Sequence, residues 1–169
     1  MSAIHFVREQ LMCNRSLKAA TLLVPSLLIC GIASALPQPH RQEQHFKVQA
    51  HPVVTLHNPN GTVTVKAWTK SEVMVISTRA SDDVEVDAEQ MGNRVDVSAH
   101  ATSDNVAPED MRADYQINVP EDAELQIHDD SGEVNVANVL GDMNVETVAA
   151  GVDLEDSAGY VTIKTVGGS

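Results

Sequence analysis

Carboxylates are the commonest chemistry-bearing side chains here, and they fall in adjacent pairs: Asp82/Asp83, Glu109/Asp110, Asp129/Asp130 and Glu155/Asp156. Calcium binds where several hard oxygens converge on a fixed loop. Stacked turns are one way to converge them, for instance by bringing Asp130 near Asp156. The repeat pattern Gly-Gly-x-Gly-x-Asp that would signal such a site is absent. Imidazoles are available at His45, His51, His57, His100 and His128, but no two have the short spacing of a zinc pair. His128 beside Asp129 and Asp130 comes nearest to a weak zinc site, and an exposed turn accounts for it equally well. Paired carboxylates also hydrolyse glycosides. Such a site needs aromatic platforms, and Trp68, Tyr115 and Tyr160 are few; a groove with two carboxylates beside Trp68 would be its mark. The serines Ser71, Ser77, Ser81, Ser131 and Ser157 lack the strand–elbow–helix context of a nucleophile. No Walker loop, dinucleotide loop or His-Glu-x-x-His helix occurs. The residues therefore predict no catalytic residue, no cofactor site and no metal ligand: a protein that is not an enzyme.

The chain has 169 residues, with 11 Lys and Arg against 24 Asp and Glu, a net charge of -13. Its N-terminus reads as a signal peptide over residues 1–35. Arg8, Arg15 and Lys18 form a basic region, an apolar stretch runs from Ala19 to Ala33 interrupted by Pro25, and Ala33-Ser34-Ala35 has the small-x-small pattern of a cleavage site. Cleavage is expected between Ala35 and Leu36, and an uncleaved N-terminal anchor is the alternative. Met12 is a second candidate start. Ile29 before Cys30 argues against a lipid anchor, because that position must be small. The two cysteines, Cys13 and Cys30, both fall in the leader. The mature chain would hold no disulfide, so backbone ladders and apolar packing must carry its stability. Without residues 1–35, eight basic and 23 acidic residues remain, a charge of −15. That surface repels phosphate backbones, and nucleic acid is not an expected partner.

Residues 36–44 are rich in Pro, Gln and His and read as a linker; 45–120 reads as an N-terminal β part. Alternation of period two prevails there, as half-buried strands require. It runs through Phe46, Val48 and Ala50; Val53, Thr55 and His57; Val63, Val65 and Ala67; the two-sided apolar run Glu72–Thr78, expected to be central; Val84, Val86 and Ala88; Val95, Val97 and Ala99; and Tyr115, Ile117 and Val119, ended by Pro120. Asn58-Pro59-Asn60-Gly61 and Met91-Gly92-Asn93 read as turns, the second closing a hairpin. Asn60-Gly61-Thr62 is also a sequon, relevant only in a glycosylating host. Residues 100–113 lack alternation and read as a loop.

From residue 121 to 169 the pattern becomes a repeat. Gly132, Gly141, Gly151, Gly159 and Gly167 lie 9, 10, 8 and 8 residues apart, and each of the first four precedes an apolar pair: Val134/Val136, Met143/Val145, Val152/Leu154 and Val161/Ile163. Two inward side chains specify a strand of about four residues, glycine relieves the corner, and Val139, Val148 or Val166 can plug a second corner. One such unit cannot bury its own face, so units must stack. The expected fold is all-β: short antiparallel strands leading into a Gly-spaced β-repeat, a single-stranded β-helix or similar solenoid. The run stops at Val166-Gly167-Gly168-Ser169 with no capping segment, which reads as truncation or as an edge open to self-association.

Three segments carry a resemblance: Val54-Thr-Leu-His-Asn-Pro-Asn-Gly-Thr-Val-Thr-Val-Lys-Ala-Trp68, Ala113-Asp-Tyr-Gln-Ile-Asn-Val-Pro120, and the glycine-spaced pairs from Gly132. Together, over residues 45–169, they resemble the bacterial putative-adhesin family of repeated β-strands, a domain of unknown function found in exported proteins. The resemblance implies an adhesin-like or structural binding module of the cell envelope, periplasmic, surface-bound or secreted. It supplies no ligand. An envelope protein or glycan is the expected partner, an accessory domain in envelope-stress sensing is the alternative role, and a carbohydrate-active enzyme ranks below both.

Overall fold

In the computed structural model of the chain the described residues are 40–107 and 110–167. The expected leader, residues 36–39 of the expected linker, Glu109 and Gly168 lie outside them. Ten strands form one sheet: β1 (His40–Lys47), β2 (Val53–Asn58), β3 (Gly61–Trp68), β4 (Glu72–Arg79), β5 (Val84–Met91), β6 (Arg94–Ala101), β7 (Ala113–Pro120), β8 (Glu124–Ala137), β9 (Met143–Glu155) and β10 (Val161–Thr165). β1 starts at His40, so residues 40–44 are paired along β4.

The all-β class is as expected, but the predicted architecture of antiparallel strands feeding a single-stranded β-helix is not what the chain adopts. Eight strands follow one another as β1-β4-β7-β3-β8-β2-β6-β5 and wrap one core as a nearly closed barrel, with β9 pairing β8 and β10 pairing β9. The cause is β8, whose 14 residues serve two neighbours: Glu124–Asp129 pair in parallel with β2, and Gly132–Ala137 pair in parallel with β3. A strand shared in this way bends the sheet and draws the N-terminal strands onto the repeat. Leu56, Val63, Val75, Val95, Ile117, Leu125 and Val134 accordingly belong to one buried cluster.

The turn at Asn58–Gly61 is a corner, because β2 and β3 pair with successive parts of β8 and not with each other. Two local readings change for the same reason. In β2 the inward face is Val54, Leu56 and Asn58, while His57 is exposed; the adjacent Val53 and Val54 hide the phase of the alternation. The glycine spacings resolve into two interleaved sets. Leu125 lies opposite Met143 and Met143 opposite Val161, so the ladder repeats every 18 residues. Gly132 stacks on Gly61 at one corner and Gly159 on Gly141 at another, whereas Gly151 faces Glu133 within the ladder. Of the expected plugs, Val139 is fully buried, but Val148 and Val166 are exposed. Other readings hold. β5 and β6 form the antiparallel hairpin around Gly92, and β4 is paired on both sides.

The apolar column loses cover along the ladder. Ile127 and Val145 are buried, but Ile163, next in the same column, is 44% exposed. Replacing Ile127 with alanine should therefore cost about 2–5 kcal/mol, the range for a buried aliphatic truncation. Ile163→Ala should cost under about 1.5 kcal/mol. Equal losses in denaturant melts would show that the column is covered to its end.

Candidate functional site

Three chain connections meet beside the end of β3. Trp68, the last residue of β3, lies opposite Pro120, the last of β7. The connection Thr69–Ser71, the turn at Glu121 and Asp122, and the segment at Gln49 and Ala50 surround the ring and leave a groove of about 370 Å³. These connections are held in place by their backbones. Asn93 accepts from the Gln49 amide (2.7 Å) and donates to the Ala50 carbonyl (3.0 Å). Asp122 Oδ2 accepts from the His51 amide at 2.8 Å, where His51 adopts a positive φ of 53°. The Glu121 carbonyl accepts from the Leu140 amide at 2.8 Å. Trp68 itself is anchored by Nε1, which donates to the Glu72 carbonyl at 2.7 Å, and Lys70 Nζ stands 4.3 Å from the ring centroid. A half-buried indole fixed by its N–H, with amide, hydroxyl, ammonium and carboxylate groups around it, can stack a flat apolar face and hydrogen-bond the polar groups at its rim.

The groove carries two carboxylates beside Trp68, Glu121 and Asp122, which are neighbours on one turn. Sequence reasoning did not connect Gln49, Lys70 and Glu121 to it. Their signal is positional: each lies one or two residues past the end of a strand. The other aromatic candidates fall elsewhere. Tyr115 is buried in the core and Tyr160 stands out of the β9–β10 connection, 76% exposed. Ser71 lines the groove, while Ser77 is buried, Ser81 accepts from the Asp83 amide and Ser157 donates to the Glu155 carbonyl.

The acidic pairs and histidines are dispersed. Asp129 is level with Thr147 in the ladder and Glu155 with Ala137, so Asp130 sits near the middle of the ladder and Asp156 just past its end. Among the described residues no three His, Cys, Asp or Glu side chains are placed to hold a metal ion. His45 bridges Glu43 and Glu72 at 3.0 Å each; the Glu72 hydrogen bond chiefly raises its pKa and depresses that of Glu72. The outer face of the ladder aligns His57, His128, Glu146 and Lys164, with the two imidazoles 4.8 Å apart and Lys164 Nζ 2.6 Å from Glu146, whose pKa it lowers. Spacing in the sequence did not join the two histidines; the shared β2–β8 register does.

Asp129 differs from its expected exposed turn. It is fully buried, and its Oδ1 accepts from Asn58 Nδ2 at 2.7 Å. Asp129 Oδ2, Asn58 Oδ1 and the Tyr115 hydroxyl have no hydrogen-bond partner in the protein. Burial lifts the Asp129 carboxyl to about 6, against the Asn58 hydrogen bond, which lowers it.

No helix among the described residues is long and apolar enough to cross a membrane. No family model matches the chain, and no curated protein matches it. Among solved structures it is similar to the crystal structure of a putative cell adhesion protein from Clostridium sporogenes ATCC 15579, at 12% identity, over 76% of this chain and 100% of that one, with a TM-score of 0.37. At that similarity no residue role and no ligand carries across.

Proposed function

We propose that the protein is an exported, non-catalytic binding module of the cell envelope, and that the groove at Trp68 takes a saccharide chain. The observation that carries this reading is the fixed, half-buried Trp68 ring with Lys70, Glu121, Gln49 and Ser71 around it on pinned connections. The sugar's apolar face would stack on the indole, and its hydroxyls would pair with the rim. Binding is favoured over hydrolysis by the carboxylates themselves. Glu121 and Asp122 are neighbours on one turn and do not face each other across a cleft, and Asp122 is engaged by the His51 amide. Export follows from Ala33-Ser34-Ala35 and its apolar stretch. The exposed apolar side of β10, with Val161 and Ile163, offers a surface for self-association in an envelope assembly.

Trp68 is the single tryptophan of the chain, so its fluorescence reports on the groove alone. Titration with envelope oligosaccharides, such as amino-sugar oligomers, should give a saturable change, and Glu121→Gln or Lys70→Ala should weaken binding about tenfold, the scale of one charge-assisted hydrogen bond. No product should accumulate. A flat titration up to millimolar sugar sinks the groove reading, and released reducing ends sink the non-catalytic one.

A further inference from the structure

The eight-strand path has two ends, and they flank one seam. β1 is paired on one side by β4, and β5 on one side by β6; neither pairs with the other. Both ends of the seam are nevertheless tied. Gln90 Nε2 of β5 donates to the Lys47 carbonyl of β1 at 2.8 Å, and Arg79 donates to the Val84 carbonyl where β5 begins. Between the ties lies a cleft of about 320 Å³ lined by Gln42 and Gln44 of β1, by Arg79, and by Glu85, Asp87 and Glu89 of β5. Two strand edges therefore face one slot, and such edges are templates for pairing.

We propose that this seam takes an extended, basic peptide segment of a partner protein, which adds as a strand between β1 and β5 and completes the barrel. Main-chain pairing to two edges at once supplies the affinity, as in other strand-addition complexes. Side-chain alternation supplies the selectivity. The inward positions of the added strand meet Gln44, Val86 and the half-buried Ala88, which suit small or hydroxylated residues. The outward positions meet Glu85, Asp87 and Glu89, all exposed on one face of β5, with His100 lying 3.6 Å from both Glu85 and Asp87. Arg79 offsets one of these charges, so the lining stays net negative and favours Lys or Arg at alternate positions. The site is separate from the Trp68 groove and does not depend on what that groove binds.

The test uses the full mature chain and a labelled heptapeptide alternating Lys and Thr, with an alternating Glu and Thr peptide as counterpart. Fluorescence anisotropy at low salt should show saturable binding of the basic peptide alone. The double variant Asp87→Lys/Glu89→Lys, with its fold checked by circular dichroism, should bind the basic peptide at least about tenfold more weakly and take up the acidic one. Hydrogen exchange should show the amides of 42–46 and 85–89 protected about tenfold or more in the complex. Absence of saturation by ~1 mM peptide overturns the proposal. So does binding that leaves those amides unprotected, since that is adhesion to an acidic surface without strand addition. If the double variant does not fold, the exchange pattern of the unaltered chain decides alone.

Discussion

Gly132→Ala should cost the fold about 3 kcal/mol or more, enough to remove much of the stability of a domain this size. Gly132 has φ +144°, a conformation that L side chains rarely adopt, and a Cβ there would run into the carbonyl oxygen of Gly61. Both residues are fixed by the β3–β8 ladder, where Gly61 and Gly132 are direct partners. The clash is backbone against backbone, so no side chain can turn away to relieve it. Backbone strain of this kind is worth about 1–3 kcal/mol alone, and displacing the corner adds the loss of ladder pairing on both sides of it. Gly92 is the control. Its φ is also positive, at +64°, but nothing lies within 4 Å of the added Cβ. Gly92→Ala should cost only about 1–2 kcal/mol, the price of the left-handed conformation. Chemical denaturation of the two variants separates steric from conformational cost, and equal losses would place the corner elsewhere.

Asp129→Asn should stabilise the protein at pH 8 and leave it unchanged near pH 4. The folded carboxyl is raised to about 6 from an ordinary 3.8, because burial disfavours its charged form. A carboxyl raised by folding contributes stability that is fully present below its unfolded value and is lost as pH climbs through its folded value. The loss should therefore run from about pH 4 to about pH 7 and amount to roughly 2–3 kcal/mol, at 1.36 kcal/mol per unit. Asparagine removes the buried charge, keeps an acceptor for Asn58 Nδ2, and brings an N–H for the partnerless oxygens of Asn58 and Tyr115. The groups facing Asp129 are Asn58 from β2, Tyr115 from β7, Thr147 from β9 and its own neighbours His128 and Asp130. Asp130 raises its pKa and His128 lowers it, both by less than burial does. Subtracting the two pH–stability curves isolates Asp129. The pairs at Glu72–His45 and Glu146–Lys164 depress their carboxylates and act in the opposite direction, losing stability as pH falls; they cancel in the same subtraction. A difference that does not change with pH would mean Asp129 is solvated.

Local pattern carried much of the strand content. Alternation located β3, β5, β6 and β7 and their inward faces, because apolar and polar residues alternate along most of each. It misplaced β2 by one residue, since Val53 and Val54 satisfy either phase and inward Asn58 looks like a turn residue. What periodicity cannot express is which strands become neighbours. The pairing of β2 and β3 with β8 joins residues 71 apart, and that pairing turned an expected solenoid into a nearly closed barrel. The same long-range register buries Asp129 against Asn58 and brings His57 beside His128, neither of which any short spacing announces. The Trp68 groove was half legible. Its aromatic stood out, but its partners come from three connections whose convergence depends on β3 and β7 ending level at Trp68 and Pro120.

β8 should bind the N-terminal strands and the repeat into one cooperative core. Native-state hydrogen exchange on the mature chain tests this directly. The slowest amides of β2, β3 and β8 should exchange with one common free energy and respond together to denaturant, while β10, at the exposed end of the ladder, opens at lower cost. If the amides of β8 and β9 instead exchange as a unit of their own, with β2 and β3 unaffected, the shared core is contradicted.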